Sequence, residues 1–452
     1  MGCGESMGCA GARSRNVRMQ PGGRKAKLAL TGRDESGNDM PPELWNRMRL
    51  KPMGRAVTAS MLSLAMALGV TACSNDYTVS YLYMATSQSL PHGLINAYQV
   101  DYQSGSLLPL ADSPIDAGGR NTVGLVVAPN NLFLYTVNNF DSDVVEFAIG
   151  TDGKLYPQNT YNITGSLPTA AAIDAAGKFL YVTFTYQNTP GGAELYTPSN
   201  PGPGGISIFP INPDNTLGKP TTVNAGRNPI GITTSAVGSY VYVIEQDSAS
   251  TNNLLGFSEN PTTGALAPLA GVTINAGNVP STGFVSGPNP SGILEDPAGA
   301  HLYVTDQTLG QVATYTLLNG IPSLAGTATT DAGPKGMAFD LTGKYLYVTA
   351  YTANALDGYT IGPGGLPLRS TVAASEQTGT GPTCVVISGA PSNANPIHAV
   401  YLFTSNALSN NITAEQLNPQ DGSLDQVFGE PFGGSALPSC IATAPAYPLR
   451  NY

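Results

Sequence analysis

One aromatic phrase recurs seven times along the chain and dominates the choice of fold. The copies read YLYMAT at Tyr81, FLYTVN at Phe133, FLYVTF at Phe179, YVYVIE at Tyr240, HLYVTD at His301, YLYVTA at Tyr345 and AVYLFT at Ala399. Their second tyrosines fall at 83, 135, 181, 242, 303, 347 and 401, so successive copies lie 44 to 61 residues apart. Repeats of about 40–60 residues that contain several short strands fall in the range of propeller blades rather than of helical solenoids.

Each phrase sits inside a larger unit of four predicted strands, which we label A to D. A strand rich in small residues and a glycine turn precede the phrase, as in Pro229–Gly238, Pro290–Gly299 and Pro334–Gly343. A second strand and a short Leu- or Ile-bearing strand follow it. Small residues in strand A suit the crowded axis of a propeller, and aromatic residues in strand B suit packing between blades. The sequence therefore predicts an all-β, seven-bladed β-propeller of four-stranded blades.

The two ends of the repeat region complement each other. The first phrase, at Tyr81, has no strand A before it, and the last strand A, Leu437–Pro445, has no phrase after it. Pairing these N- and C-terminal strands would complete one blade and leave no free sheet edge. We expect the propeller to cover residues 77–452.

Composition and charge exclude several other classes of protein. Charged residues make up only 11% of the chain, which argues against an array of helices with salt-bridged faces. Residues 1–72 hold 11 basic and 5 acidic residues, a net charge of +6, whereas residues 73–452 hold 9 and 25, a net charge of −16. An acidic body repels phosphate backbones, so we expect no nucleic-acid partner. Three histidines are too few for a typical histidine-based metal cage.

An export signal is predicted within residues 48–72. The basic segment Met48–Arg55 precedes fifteen uncharged residues, Ala56–Val70, and the ending Val70-Thr71-Ala72-Cys73 resembles a bacterial lipobox. Fifteen apolar residues suit a signal peptide better than a membrane span, which needs about 20. The alternative is a buried helix followed by an ordinary cysteine.

The lipobox interpretation implies lipidation of Cys73, with residues 73–76 as a short tether to the membrane. Residues 1–47 would then precede the true start at Met48 or Met53, and we expect them to be disordered. The protein would be exported, as a periplasmic or cell-surface lipoprotein. The absence of an obvious inner-membrane retention signal at Ser74 favours the outer membrane.

Two cysteines remain when Cys73 and the leader cysteines are set aside. Cys384 and Cys440 occupy the same position of strand A in neighbouring blades. An even pair in an exported protein predicts a disulfide, which would tie the closing strand to its neighbour. The alternative is a pair of small buried thiols.

The repeats resemble a known family. The LYVT and YVYV phrases, the Pro-x-Gly strands and the DPAG and DLTG turns are similar to those of YVTN-repeat propellers and of the seven-bladed lactonase family, which includes 6-phosphogluconolactonase and carboxymuconate cycloisomerase. The resemblance implies His, Arg and Glu around the axial opening, typically with a Gly-Pro-Arg-His start to a strand A. The matching starts here lack the Arg-His pair: Asn228-Pro-Ile-Gly, Asn289-Pro-Ser-Gly, Gly333-Pro-Lys-Gly and Leu167-Pro-Thr-Ala. Glu245 matches the family's acidic position with an offset of one residue.

The candidate site is predicted on the face formed by the D–A and B–C connections, because the long loops 187–205, 247–253 and 274–289 lie there. Glu245, Arg227 and His92 are the catalytic candidates, with a solvated loop histidine as the alternative for His92 and an inter-blade ion pair as the alternative for Glu245 and Arg227. The predicted ligand-binding residues are Asn138, Asn228, Asp247, Asp306, Lys335 and Tyr351. Glu245, Asp247 and Asp306 could instead hold a hard cation such as calcium, or simply solvate an acidic surface.

Two functions fit these residues. The first is a monomeric, lipid-anchored propeller of the cell envelope that uses its long-loop face to bind a protein, a glycan or a small molecule, without a cofactor. The second is a lactonase-like hydrolase or isomerase that uses Glu245, Arg227 and His92. The missing Arg-His pair favours the first.

Overall fold

The computed structural model describes residues 78–88, 90–187, 204–247, 250–274, 281–388 and 400–446, all within the compact unit Asp76–Tyr452. In these ranges the chain forms seven antiparallel sheets, each with a four-stranded path. The innermost strands contact one another in a closed ring. The predicted seven-bladed β-propeller is therefore confirmed. Leader residues 1–47, the predicted signal peptide, Cys73 and His398 lie outside the described residues.

The strands follow in blade order, with blade 1 containing the first aromatic phrase. Strands A are Pro438–Pro445, Thr122–Val127, Gly165–Ile173, Pro229–Thr234, Pro290–Glu295, Pro334–Phe339 and Pro382–Ser388. Strands B are Thr78–Thr86, Phe133–Asn138, Phe179–Gln187, Tyr240–Glu245, His301–Asp306, Tyr345–Ala350 and Val400–Asn406. Strands C are Leu94–Asp101, Asp143–Ile149, Gly205–Pro210, Leu254–Glu259, Gln311–Leu318, Ala355–Ile361 and Asn411–Leu417. Strands D are Leu107–Pro109, Leu155–Asn162, Thr221–Asn224, Leu266–Pro268, Ile321–Thr329, Pro367–Arg369 and Leu424–Gln426.

Three shorter strands pair with the C strands of blades 1, 6 and 7, and one 3-10 turn joins strands C and D of blade 6. The strands are Ile115–Asp116, Glu376–Gln377 and Phe432–Gly433, and the turn is Pro363–Gly365.

The chain ends close the ring as the sequence predicts. Strand Pro438–Pro445 pairs antiparallel with Thr78–Thr86, so that Tyr83 lies opposite Ala442. Blade 1 thus takes its inner strand from the C-terminus and its other strands from the N-terminal part of the repeat region.

The repeated tyrosines join each blade to the next. All seven are less than 2% exposed. Each hydroxyl donates to a backbone carbonyl in the C–D turn of the following blade, over 2.7 to 3.3 Å. The pairs are Tyr83 with Gly153, Tyr135 with Asn215, Tyr181 with Gly264, Tyr242 with Gly320, Tyr303 with Gly365, Tyr347 with Gly422 and Tyr401 with Tyr102. A buried hydroxyl or carbonyl without a hydrogen-bond partner destabilises the folded state. The tyrosine–carbonyl pairs avoid this cost, which explains why tyrosine recurs at this position of the repeat.

The first aromatic residue of a phrase packs on the same turn. In blade 5 the turn residue Gly320 has a φ of +77°, and a Cβ there would lie 2.2 Å from the ring of Tyr240 in blade 4. Only glycine combines this backbone conformation with such a close ring.

The predicted disulfide is wrong, because Cys384 and Cys440 are free thiols. The Cys384 thiol faces the closing strand, where it donates to the Ser439 carbonyl over 3.4 Å. Cys440 instead contacts the backbone N–H of Leu125 in blade 2. Equivalent residues of a rotational array point the same way around the axis, so the two thiols cannot face each other as they would across a two-fold interface.

The alternating strand directions give the propeller two distinct faces. The B–C turns and D–A connections form one, which we name the B–C face. The A–B and C–D turns form the other, which we name the A–B face. Strands A begin at the B–C face and end at the A–B face.

Candidate functional site

A buried amide or carboxyl side chain ends strand B in four blades and lies directly against the preceding D–A connection. These residues, each 0% exposed, are Asn138, Glu245, Asp306 and Asn406. A Cβ on the neighbouring glycine of the D–A connection would collide with the polar end of each one, or with the residue opposite it. Those glycines are Gly119, Gly226, Gly287 and Gly379. The site is thus a repeated bracket between a strand end and a connection on the B–C face.

In blade 5 this bracket is satisfied. Both oxygens of Asp306 accept backbone N–H groups over 2.8 Å, one from Asn289 and one from Leu309. Two amide donors compensate the buried carboxylate, which is how a structural aspartate is stabilised. Asp306, predicted as a ligand-binding residue, therefore has a structural role, because both of its carboxylate oxygens are bonded to the backbone.

In blade 2 the bracket is satisfied as well. Asn138 accepts the Thr122 hydroxyl over 2.8 Å and donates to Asp143 over 2.9 Å. This second predicted ligand-binding residue, like Asp306, has hydrogen-bond partners within the fold for its polar side-chain atoms.

Blade 4 departs from this pattern further than blade 7, where Asn406 Oδ1 has no partner in the described ranges but Nδ2 is bonded. Neither carboxylate oxygen of Glu245 has a hydrogen bond of normal geometry among the described residues. Burial raises the pKa of Glu245 to about 8, and Asp247 adds to the rise; the nearby backbone N–H and charge of Arg227 act against it. A carboxyl group with this pKa exchanges a proton near neutral pH, as a general acid or base must.

Arg227 and Asp247 flank this carboxyl group. Arg227 Nη1 lies 3.7 Å from Asp247 Oδ2, and the two side chains are 16% and 3% exposed. The Nε of Arg227 is buried and has no hydrogen-bond partner in the described ranges. A buried guanidinium with a spare donor can bind an oxygen that carries negative charge. Three ionisable groups are thus gathered at the B–C face of blade 4.

Sequence reasoning missed Asn253 at this site. The N–H of Glu245 donates to the Asn253 carbonyl over 2.9 Å, which places Asn253 opposite Glu245 at the start of strand C. Its Nδ2 is bonded to two backbone carbonyls, whereas its Oδ1 has no partner among the described residues. A polar residue at the start of strand C is a repeated feature, because Asn138 and Asn406 also face polar residues across strands B and C. The sequence alone does not show which residues are paired, so this feature could be recognised only from the strand register.

A second positively charged side chain lies at the B–C face, at the start of strand A in blade 6. Lys335, the second residue of strand A, places its ammonium 3.9 Å from the centre of the Tyr351 ring. Burial lowers the pKa of Lys335, and no carboxylate within the described part of the chain forms an ion pair with it. The structure thus joins two of the predicted ligand-binding residues in one cation–π contact.

The remaining predicted residues lie elsewhere on the B–C face. His92 is in blade 1, where Nδ1 lies 2.9 Å from Asp116, and its side chain is 43% exposed. Asn228 is half-buried at the start of strand A in blade 4, where its carbonyl accepts the N–H of Gln246. Parts of the three long predicted loops, residues 188–203, 248–249 and 275–280, are outside the described ranges.

A metal centre finds little support in the geometry. In the described part of the chain, no three His, Cys, Asp or Glu residues are placed to hold a metal ion together. Asp306 does not join Glu245 and Asp247, because its oxygens are bonded to backbone amides of blade 5.

Over the described residues, no helix is long and apolar enough to cross a membrane.

Comparison with known proteins supports the fold and its resemblance. The family described as "Lactonase, 7-bladed beta-propeller" matches residues 81–189. No curated protein is significantly similar in sequence.

Solved structures with the same architecture cover most of the chain. A 6-phosphogluconolactonase-like protein of Bacteroides fragilis has a TM-score of 0.64 at 19% identity, covering 82% of this chain and 99% of its own. A similar protein of Bacteroides uniformis has a TM-score of 0.62 at 19% identity, covering 81% and 99%. The periplasmic gluconolactonase of Pseudomonas aeruginosa has a TM-score of 0.62 at 17% identity, covering 82% and 100%. The predicted resemblance to lactonase-type propellers is confirmed, and at these identities the likeness establishes the fold.

Proposed function

We propose that the protein is a lactonase-like hydrolase that opens a cyclic ester at the B–C face, with Glu245 as its acid–base group. The observation that carries the proposal is the buried carboxyl of Glu245, whose oxygens have no hydrogen bond of normal geometry within the described ranges, at a position where Asn138 and Asp306 are bonded. A buried acid without normal hydrogen bonds destabilises the folded protein. Because Glu245 differs in this way from the equivalent residues of blades 2 and 5, a functional role explains its presence better than a structural role does. The gluconolactonase activity named for a structural relative favours the same chemistry.

The proposed reaction needs one proton carrier and one positive charge. The Glu245 carboxylate takes a proton from water as the water oxygen bonds to the lactone carbonyl carbon. The Arg227 guanidinium stabilises the negative charge that forms on the carbonyl oxygen. The carbonyl then re-forms, the ring C–O bond breaks, and Glu245 returns its proton to the leaving alkoxide. The product is an open-chain hydroxy acid.

Lys335 and Tyr351 supply the proposed contact for a negatively charged substituent of the substrate. The ammonium is partly buried and has no ion-pair partner among the described residues, so an anionic group would gain a charge-assisted interaction there. His92 is the remaining catalytic candidate, and its hydrogen bond with Asp116 in blade 1 would have to open for that role.

A binding role without catalysis is the second candidate. The absence of the family's Arg-His pair from the strand starts favours it. In this version the B–C face binds a protein, a glycan or a small molecule, and the protein is a monomer anchored in the cell envelope through Cys73. Incorporation of labelled fatty acid, lost in Cys73→Ala, is the test for the anchor and for export.

The activity test is turnover of a lactone panel by the purified protein. The panel contains 6-phosphogluconolactone, glucono-δ-lactone and γ-butyrolactone, and Glu245→Gln is the inactivating variant. Asp306→Asn is the matched control, because it changes the same repeat position in a blade whose bracket is structural. Loss of turnover in Glu245→Gln alone supports the hydrolase. Absence of turnover on every lactone would leave the binding role.

A further inference from the structure

A cavity in the described part of the chain lies far along the axis from Glu245. It has a volume of about 460 Å³ and opens at the A–B end of the inner strands of blades 4 to 7 and blade 1. Volumes of 300 to 1,000 Å³, by rough survey, hold small organic ligands. None of the residues in the Glu245 site lines this cavity.

The cavity wall is mostly apolar. It includes Leu294, Met337, Phe339, Val386 and Ile387, all of which are half-buried. The Phe339 ring is fixed by an edge-to-face contact with Tyr303, at 5.1 Å between ring centres. A ligand with an apolar body would cover surface that water now contacts.

One residue of the wall breaks the inner-strand pattern. Counted from the first residue of each inner strand, or from Pro168 in the longer strand of blade 3, the sixth residue is Val127, Ile173, Thr234, Phe339, Ile387 or Thr443 in six blades, and Glu295 in blade 5. Glu295 is 7% exposed, and its oxygens accept the Ser235 hydroxyl over 2.9 Å and the Ala236 N–H over 2.5 Å. These bonds hold the carboxylate in place and use about two of its four acceptor positions.

Among the described residues, no lysine, arginine or histidine forms an ion pair with this carboxylate. Neither lysine nor arginine lines the cavity, and the neighbouring Asp296 is already bonded to His301 and to the backbone of the turn. Burial raises the pKa of Glu295, and Asp296 raises it further. The cavity therefore combines apolar walls with two acids at its edge: Asp296 is paired with His301, and Glu295 is held by two hydrogen bonds and has no cationic partner in the described ranges.

We infer that this axial cavity is a second ligand site, for a small organic cation that places its charge at Glu295 and its apolar body against Met337 and Phe339. A protonated amine would pair with the carboxylate in a charge-assisted hydrogen bond, and the acidic body of the protein would attract it. This site is independent of the proposed hydrolase and requires no chemical step.

The test compares two probes that differ only in charge. Binding of phenethylamine and of 2-phenylethanol to the full chain is measured by calorimetry at pH 7. We expect the amine to bind about tenfold more tightly or better, the effect of one hydrogen bond to a charged group. Glu295→Gln should remove that preference, and Ala338→Leu, which fills the cavity, should weaken both probes. Glu415→Gln, a buried acid in blade 7 outside the cavity, is the matched control and should change neither.

Three results would overturn the inference. The first is the absence of saturable amine binding, and the second is equal affinity for the two probes. The third is amine binding that survives both Glu295→Gln and Ala338→Leu, which would place the probe elsewhere. Because Ala338→Leu keeps the carboxylate, it remains informative if Glu295→Gln fails to fold.

Discussion

The hydroxyl of Tyr401 donates a 3.0 Å hydrogen bond to the backbone carbonyl of Tyr102, which closes a ring of seven equivalent contacts. Tyr401 belongs to blade 7 and Tyr102 to the C–D turn of blade 1, so residues 299 positions apart in sequence complete the pattern. The ring thus has two closures, this one and the strand pairing of Thr78–Thr86 with Pro438–Pro445.

Tyr401→Phe tests the tyrosine ring. The variant keeps the buried aromatic ring but removes the donor for the Tyr102 carbonyl, so we expect a loss of about 1 kcal/mol in the free energy of unfolding. A lower midpoint in chemical denaturation, with an unchanged slope, would measure it. Tyr156→Phe is the control, because Tyr156 is 49% exposed and its change should be within about 0.5 kcal/mol. Equal midpoints for the two variants would contradict the structural role of the ring.

Gly320→Ala tests why the C–D turns carry glycine. Gly429 also has a positive φ, of +92°, but a Cβ there meets nothing within 4 Å, whereas a Cβ on Gly320 would meet the Tyr240 ring at 2.2 Å. Both alanine variants pay for the backbone conformation, and only Gly320→Ala must also move an aromatic ring. We expect its extra loss of unfolding free energy to be about 1 kcal/mol or more. Comparable thermal midpoints for the pair would rule out the ring contact as the cause.

The fold could be predicted from the repeat. The seven copies share one strand order, and the incomplete units at the two ends indicate that the N- and C-terminal strands pair to close the ring. The site was only partly predictable. Glu245 and Asp306 end their strands in the same way, and the sequence does not tell which carboxylate is bonded to backbone amides. The disulfide prediction failed for a related reason. Cys384 and Cys440 occupy equivalent positions in neighbouring blades, so both thiols point in the same direction around the propeller axis.

Glu245→Gln and Asp306→Asn should affect stability in opposite ways. The pKa of Glu245 is raised to about 8 in the folded protein, against a usual value near 4.5, so the folded state binds the extra proton. Its stabilising contribution is complete below pH 4.5 and is lost as the pH rises towards 8. Glu245→Gln should therefore raise the free energy of unfolding at pH 8 by on the order of a few kcal/mol and change little at pH 4.

Asp306→Asn, by contrast, replaces one of two acceptors for backbone N–H groups and should destabilise the protein at neutral pH. Denaturation curves for both variants at pH 4 and pH 8 measure the difference. A Glu245→Gln variant that is less stable than the wild type at pH 8 would show that the carboxyl is paired, and would remove its distinction from Asp306.

Cys384 and Cys440 should resist alkylation until the protein unfolds. Burial raises the pKa of both thiols, and a buried protonated thiol reacts slowly with iodoacetamide. Peptide mapping by mass spectrometry, before and after denaturant, reports the labelled fraction at each position. We expect little label on either cysteine in the native protein and complete label without reductant in denaturant. A disulfide-linked peptide from the native protein would overturn the free-thiol arrangement.

Lys335→Met tests how the proposed hydrolase would distinguish charged from neutral lactones. Methionine keeps the apolar stem over Tyr351 but removes the unpaired ammonium. We expect KM for 6-phosphogluconolactone to rise about tenfold, as for one lost charge-assisted contact, with kcat little changed. KM for glucono-δ-lactone, which lacks the phosphate, should be nearly unaffected. Lys344→Met is the control, since Lys344 is exposed in the A–B turn of the same blade and on the opposite face. If Lys335→Met raised KM equally for both lactones, the ammonium would act on the ring rather than on the anionic group, and Lys335 would lose its assigned role.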